Sequence, residues 1–511
     1  MSDIVLATLN ARYAHASLGL RCLRANLGEL RERSVIREFV IGQKTEEIAE
    51  RLLAENPRIL GLGVYIWNVE ESTRLVAQLK TLAPDLVVIL GGPEVSHETD
   101  GQRICALADY VVTGWGDVSF PRLAGELLQG SRPASRVIAG IQPPLDTLAL
   151  PYAEYTDEDV RQRHLYVEAS RGCPFKCEFC LSALDKTAWP FPLPGFLQEL
   201  ESLWQRGARQ FKFVDRTFNL KIDTSLALLE FFLAKLGAAP NDPPFLHFEL
   251  VPDHLPERLR DAIVRFPAGT LQFEIGIQTF DPTVQARISR RQKNEVAADN
   301  LRWLRSATTA HLHVDLIAGL PGEDVDTFAA GFDRLVALAP HEIQFGILKR
   351  LRGAPIARHS EAHALRFNPD PPYNILATDV IDFATMQRLS RFARYWDIIA
   401  NSGRYTRTLP RLLGATPFAR FLAFSDWLYA GTGQTHALAH ERLVHLLHDY
   451  LIEQLREDAT ASGEDLAADY HAAGGRSRLR FEAADVALPL PRAPRRGSTP
   501  ERQARHLAGR S

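Results

Sequence analysis

Cysteine is scarce in this sequence, with five in 511 residues. That excludes a disulfide framework and the small secreted scaffolds that depend on one. A charge excess of either sign is also missing. The formal net charge is −3, so the bulk balance gives no pull toward nucleic acid or an anionic membrane surface. No apolar run approaches the roughly 20 residues of a membrane-spanning helix. The opening Met1-Ser2-Asp3-Ile4 carries an acid and no basic leader. No export signal is therefore expected, and the expected compartment is the cytoplasm. The remaining composition, 46% hydrophobic and 24% charged, is that of an ordinary globular protein.

What is present is order in the apolar pattern. The length exceeds that of one ordinary domain. In residues 1–140, short apolar runs at Ile4–Leu9, Val35–Val40, Ile59–Tyr65, Leu86–Leu90 and Tyr110–Val112 alternate with stretches of helical spacing such as Asn68–Lys80. Buried strands alternating with helices predict an α/β fold with a doubly wound, Rossmann-like parallel sheet. Several of these strands run into glycine: Gly61 and Gly63, Gly91-Gly92-Pro93, then Gly114 and Gly116. Ligands of such sheets sit outside the carboxyl ends of the strands, where glycine lets a large cofactor approach the backbone. Residues 141–162, with Pro143-Pro144, Pro151 and the acidic stretch Thr156–Asp159, read as a linker.

A second alternating region spans 163–355. Strands are predicted at Leu165–Ala169, Gln210–Val214, Leu246–Leu250, Leu271–Ile275, Leu312–Ile317 and Ile343–Ile347, with helices such as Phe196–Gln205 and Ser225–Leu236 between them. Six β/α units predict a partial barrel, whose functional residues belong on the loops after the strands. Residues 356–485 form a helical C-terminal domain, with helical spacing at Thr378–Ile399 and Arg442–Leu455. Residues 486–511, rich in Pro, Arg, Gly and Ser, are expected to be a disordered basic tail.

Three of the five cysteines fall within eight residues, in Arg171-Gly172-Cys173-Pro174-Phe175-Lys176-Cys177-Glu178-Phe179-Cys180. Three thiolates on one short loop can wrap a cubane iron–sulfur cluster, one iron each, and leave the fourth iron open for chemistry. Phe175 and Phe179 can shield such a cluster from water. A structural zinc site wants four ligands. The nearest further candidate is His164, before the strand, so zinc requires a ligand from far away. Cys22 and Cys105 fit helices and read as small apolar packing residues.

This CxxxCxxC loop, placed after the first barrel strand, resembles that of the radical S-adenosylmethionine (radical SAM) superfamily. The resemblance implies a [4Fe–4S] cluster on Cys173, Cys177 and Cys180, with S-adenosylmethionine chelating the open iron. Other segments carry the same likeness. Phe213–Asn219 follows the second barrel strand, where relatives contact the SAM amino group. The usual Gly-Gly-Glu is absent, and Asp215 can accept from that ammonium or cap the next helix. Glu249 and Glu274 sit at strand ends. Gln278, in Gly276-Ile277-Gln278-Thr279, matches a segment of cobalamin-dependent relatives. Asp315–Glu323 resembles the GLPGE loop beside the adenine, with Gly319 and Gly322 allowing a tight turn.

A doubly wound domain ahead of such a barrel resembles the arrangement of cobalamin-binding radical SAM enzymes. The resemblance implies cobalamin against Gly91, Gly92, Pro93, Gly114, Trp115 and Gly116, with Trp115 packing on the corrin or on the barrel. The DxHxxG motif that supplies a cobalt ligand in many cobalamin proteins is missing. His15, in Asn10–Gly19, lies at the right end of its strand with different spacing. Either it is the cobalt ligand, or the cobalt has no lower protein ligand. Phe345–Lys349, Gly353–Pro355, Tyr395–Asp397 and Asn401–Tyr405 resemble a branch with a helical C-terminal domain of unassigned function.

The implied function is that of a cobalamin-dependent radical SAM enzyme, with C-methyl transfer as the leading expectation. Cyclisation or rearrangement is the alternative within that group. A tRNA methylthiotransferase needs three cysteines in its first domain, and residues 1–140 offer only Cys22 and Cys105. A non-catalytic cobalamin or redox sensor would show a degraded SAM site. The expected partners are a small-molecule or peptide substrate and a reducing donor of flavodoxin or ferredoxin type, with no membrane and no nucleic acid. No residue type marks the substrate or a catalytic side chain.

Overall fold

The computed structural model describes residues 2–482 and 500–508. It forms two compact units. The first comprises Met1–Thr217, Lys349–Ala357 and Asn368–Asn374; the second comprises Phe218–Leu348, Arg358–Phe367 and Ile375–Ser511. The division falls between Thr217 and Phe218, inside the stretch whose sequence reads as one barrel.

In the first unit, strands β1 (Ile4–Asn10), β2 (Ser34–Val40), β3 (Ile59–Gly63), β4 (Val87–Gly91), β5 (Tyr110–Thr113) and β6 (Val137–Ala139) form one sheet in the order β2-β1-β3-β4-β5-β6. Every pairing is parallel. The chain reverses its winding between β1 and β3, so the ligand crevice of this doubly wound sheet is expected outside those strand ends. All seven residues of β1 are buried, as a central strand with helices on both faces requires. One apolar layer gathers Leu9, Leu62, Leu75 and Leu90, and the opposite layer gathers Leu6, Ile89, Phe120 and Leu123. Strand β6 has no counterpart in the sequence pattern: it is three residues long and mostly exposed, too short for a periodic signal.

The stretch read as a linker contains a helix, Asp157–Gln162. Its acidic composition is a capping box: the Thr156 hydroxyl accepts from the Asp159 amide, and the Asp159 carboxylate accepts from the Thr156 amide. Asp159 also bonds Arg21 at 2.7 Å and Arg163 at 2.9 Å, and both arginines reach Glu38. These four side chains are at least nine-tenths buried, so their charges are stable there only as a network.

Four strands follow in the first unit. Strand β7 (Leu165–Val167) is followed by β8 (Ser170–Gly172) and β9 (Ala188–Pro190), an antiparallel pair closing the loop that holds the cysteines. Strand β10 (Gln210–Phe213) pairs in parallel with β7. The returning segment 349–357 is fastened by Arg352, which bonds Glu94 at 2.9 Å and Glu98 at 3.1 Å. From the other returning segment, Tyr373 donates to Glu94 at 2.6 Å.

In the second unit, β11 (Phe245–Leu250), β12 (Leu271–Gln278), β13 (His311–Ala318) and β14 (Glu342–Ile347) pair in parallel in chain order. Along β12, buried and half-buried residues alternate without interruption. Phe273, Ile275 and Ile277 pack outward on helices, and Glu274, Gly276 and Gln278 share the other face. The helices Phe383–Ile398 and Pro417–Thr432 pack around an aromatic cluster of Phe332, Phe345, Phe392, Trp396 and Phe421. The first of these starts later than its spacing predicts. Asp382 caps it by accepting from the Thr385 amide at 2.8 Å, which leaves Thr378–Ile381 outside.

The expectation of a disordered basic tail over 486–511 is corrected in part. Glu501–Ala508 is a helix. Its basic residues act as anchors: Arg502 bonds Glu342 at 3.1 Å and Asp397 at 2.6 Å, and the His506 ring packs against His311 at 5.3 Å. Composition alone cannot distinguish a solvated arginine from one with a waiting carboxylate. Residues 486–499 and 509–511 lie outside the described residues. The architecture is the mixed α/β one that the sequence implies: a Rossmann-like sheet, a partial barrel of six strands (β7 and β10–β14) and a helical C-terminal region.

Candidate cofactor site

The first unit contains a cavity of about 370 Å³ at the carboxyl ends of β3, β4 and β5. Gly91, Gly92, Gly114, Trp115 and Gly116 line it, as expected from the glycine pattern. Pro93 does not line it and begins the short 3₁₀ turn Pro93–Val95 instead. At Gly92, φ is +107° and a Cβ would lie 2.5 Å from the Val64 carbonyl, so only glycine fits. Gly140 gives similar room to the backbone of the Trp115 loop, and its amide donates to Thr113 at 2.8 Å.

The remaining wall is largely apolar: Leu18, Leu20 and Leu23 from the helix Leu18–Ala25, with Leu62, Leu90 and Phe120. An apolar recess walled by bare backbone suits a large ring-bearing cofactor, and the residues present fit cobalamin. His15 does not line the cavity. Its Nδ1 is 2.5 Å from the Tyr166 hydroxyl and its backbone bridges His164. The expectation of His15 as a cobalt ligand is therefore not met by this geometry: the strand end is right, but the ring turns to β7. Cys22, Tyr65, Asp117, Glu168 and Arg171 also line the cavity, and sequence reasoning missed them in this role.

The cysteine loop is held at its neck by β8 and β9. Gly172 has φ +90°, and a Cβ there would collide with the Thr187 carbonyl and the Trp189 ring. Lys176 donates to the carbonyls of Ala183 and Asp185 and folds the loop on itself. Cys173 and Cys177 are buried, Cys180 is half-buried, and none of the three is in a disulfide. Burial pushes the Cys173 thiol up to about 11, so a thiolate there needs a bound cation to hold it. Among the described residues, no three Cys, His, Asp or Glu side chains gather as a single-ion site. His164 stands before β7, at the end of the strand opposite the loop. Three thiolates, with no fourth ligand grouped with them among the described residues, fit a cubane cluster with one open iron.

Asp215, expected as an acceptor for the SAM amino group or as a helix cap, is occupied otherwise. Its Oδ2 accepts from the Ala169 amide at 3.0 Å and its Oδ1 from the Ser170 hydroxyl at 2.6 Å. Burial pushes its carboxyl up to about 7. Asp215 therefore braces the chain as it enters the cysteine loop.

In the second unit, Glu249 lies opposite Glu274, and Gly276 opposite Asp315, across adjacent strands. Burial raises the Asp315 carboxyl strongly, and Glu274 and Glu249 raise it further. His247 lies 3.2 Å from Glu274, and His313 lies 3.8 Å from Asp315. Gln278 stands at a bulge with φ +70°, a left-handed conformation that costs a non-glycine residue energy. Asp315 Oδ1 and Gln278 Oε1 are buried with no hydrogen-bond partner. Orphaned buried acceptors call for a donor, and an ammonium and ribose hydroxyls fit them. Asp315, Gln278, Glu249 and Glu274 are the residues of this unit that would hold SAM. Gly319 and Gly322 shape the following turn. A Cβ on Gly319 would lie 2.6 Å from Ile375, and one on Gly322 would meet Arg287. The turn ends at buried Glu323, which accepts from the Thr279 hydroxyl and is pushed up to about 8 by burial.

Comparison with known proteins assigns these parts. Residues 4–124 match the B12 binding domain, 167–335 the radical SAM superfamily, and 361–481 a domain of unknown function. The chain is a radical SAM protein with a B12-binding domain ahead of its barrel. Its particular arrangement adds the uncharacterised C-terminal domain, and the cofactors of these domains are a [4Fe–4S] cluster, S-adenosylmethionine and cobalamin.

An uncharacterised methyltransferase of Pyrococcus horikoshii is 26% identical over 242 residues, covering 41% of this chain and 52% of that protein. The cobalamin-dependent radical SAM methyltransferase TokK of Streptomyces tokunonensis is 24% identical over 333 residues, covering 58% of this chain and 47% of TokK. The chain thus spans about half the length of these curated relatives. Among solved structures, the methyltransferase TsrM of Kitasatospora setae with cobalamin and [4Fe–4S] cluster bound has a TM-score of 0.58 at 18% identity, over 73% of this chain and 82% of that one. The cobalamin-dependent SAM radical enzyme OxsB with aqua-cobalamin has a TM-score of 0.61 at 12% identity, over 92% and 80%. These likenesses establish the fold. No described helix is long and apolar enough to cross a membrane.

Proposed function

We propose that this protein is a cobalamin-dependent radical SAM methyltransferase acting on an unactivated carbon of a small-molecule or peptide substrate. The observation that carries the reading is that one compact unit holds both the three-thiol loop and a glycine-walled cavity fit for cobalamin. When bound, the cluster with SAM supplies a 5′-deoxyadenosyl radical and cobalamin supplies a transferable methyl group. Cys173, Cys177 and Cys180 would hold the cluster. Asp315 and Gln278 orient SAM through their orphaned oxygens, and Glu249 and Glu274 set the negative field around its cationic groups. The apolar wall of Leu20, Leu62, Leu90 and Phe120 keeps water away from the cofactor. TokK and TsrM, both named methyltransferases, support methyl transfer over rearrangement. A methylthiotransferase reading fares worse, because Cys22 bonds Arg171 while Cys105 sits on another helix.

The test is anaerobic purification with cobalamin supplied, followed by iron, sulfide and cobalt analysis, then incubation with SAM and a low-potential reductant. About four irons per chain, together with bound cobalt and both 5′-deoxyadenosine and S-adenosylhomocysteine as products, support the reading. Iron without cobalt removes methyl transfer and leaves a radical SAM protein whose first domain binds something else. We propose a flavodoxin- or ferredoxin-type donor as the physiological reductant, checked by replacing the chemical reductant with either protein.

A further inference from the structure

Arg171 belongs to two sites at once. It stands two residues before Cys173, in β8, at the neck of the cysteine loop. It also lines the cofactor cavity. Its guanidinium is fixed on three sides: Nη1 donates to Asp117 at 2.9 Å, Nε to Glu168 at 2.7 Å and Nη2 to the Cys22 sulfur at 3.3 Å. Asp117, Glu168 and Cys22 line the cavity as well.

The fourth side is aromatic. The guanidinium lies 5.2 Å from the Trp115 ring centre, within cation–π range. Across the hairpin the register partner of Arg171 is Trp189, which meets Trp115 edge-on at 5.8 Å. Both strands at the neck therefore rest on one indole, and that indole is part of the cavity wall. Two carboxylates balance the arginine charge, so the group is not presented as an anion site. What remains is its geometry: a planar fork held at three points cannot shift unless the cavity wall shifts with it.

We propose that Arg171 and Trp115 form a strut coupling the cofactor cavity to the cluster loop, so that filling the cavity with a corrinoid changes the environment of the cluster. Arg171 is a positioning residue: it touches the wall and the loop, and acts on the cluster through them. Cluster potentials respond to hydrogen bonding and solvent exposure around the sulfurs, and a loop whose neck is set by the wall transmits both. The proposal rests on the cavity binding cobalamin, and goes beyond it in making the two cofactors energetically linked.

Full-length protein with its reconstituted cluster is titrated anaerobically with hydroxocobalamin. Binding is read from the visible spectrum after gel filtration. The midpoint potential and the electron paramagnetic resonance signal of the cluster are recorded with and without the corrinoid. Wild type shifts in both on binding. Arg171→Lys keeps the charge and loses the fork, and Trp115→Leu removes the indole. Each variant is titrated to its own saturation with hydroxocobalamin, and at saturation both lose the shift. Should Arg171→Lys fail to retain iron, Asp117→Asn removes one anchor outside the loop and shows the same loss. Cobalamin bound without a shift in wild type, or a shift intact in the variants, overturns the strut and leaves the two-cofactor reading standing. Wild type that binds no cobalamin overturns both.

Discussion

Gln278 shows how a single residue can carry strain for a ligand. Its left-handed backbone folds the side chain back over Gly276, where a Cβ would meet the amide. Such strain costs on the order of 1 kcal/mol or more and persists where the surroundings impose it. Gln278→Gly is expected to leave stability within about 1 kcal/mol of wild type, because relieved strain offsets glycine's entropy. The same change weakens SAM binding about tenfold, the value of one lost hydrogen bond to a charged group. Thermal melting and a SAM titration separate the two effects.

Glu323 makes a second residue-scale case. Its folded value of about 8 lies above the ordinary 4.5. Between those values the unfolded chain has lost the proton and the folded chain keeps it, so stability falls as pH rises. Glu323→Gln removes that dependence. The melting temperature of the variant relative to wild type should therefore climb from pH 5 to pH 8, and a constant difference would refute the assignment.

Among the elements, the hairpin of β8 and β9 depends on one glycine. Gly172→Ala drives a methyl into the Thr187 carbonyl at a positive φ, a combination worth a few kcal/mol by ordinary strain values. The expected outcome is a folded protein that loses most of its reconstituted iron, read by iron analysis against an unchanged far-ultraviolet spectrum. The buried network of Arg21, Glu38, Asp159 and Arg163 is the other element-scale device, tying the helix Leu18–Ala25 to β2 and to the helix Asp157–Gln162. Arg21→Met leaves two carboxylates facing one arginine and should cost about 3–5 kcal/mol in chemical denaturation. The strands themselves were legible, since period-2 and all-apolar runs mark β1, β3 and β12 plainly. The hairpin was not, because three-residue strands carry no period, and the capping box at Thr156 was hidden inside a stretch that looked merely acidic.

Across the whole molecule, what the sequence revealed was whatever is local. Cys173, Cys177 and Cys180 are recognisable because their spacing alone encodes a shared ligand. The glycines after β4 and β5 are recognisable as a pattern, and at Gly92 the backbone admits no side chain. The contacts that join one site to the other are not local: Arg171 meets Cys22 across 149 positions and Asp117 across 54, and no spacing rule covers such distances. The partner of His15 is distant for the same reason, since only the fold shows that its ring meets Tyr166. The helix Glu501–Ala508 extends the point to the end of the chain. Deleting residues 500–511 strips Arg502 from buried Glu342 and His506 from His311, and should lower the melting temperature measurably at neutral pH.

The indole of Trp115 has one more consequence, an optical one. It forms part of the wall of a cavity fit for a strongly coloured macrocycle, and Tyr65 of the same wall stacks on Trp67 at 4.4 Å. Corrinoids absorb where tryptophan emits, so the protein carries its own gauge of cofactor loading. Its intrinsic fluorescence should dim as cobalamin enters, and Trp115→Phe should report the same event with a shallower fall.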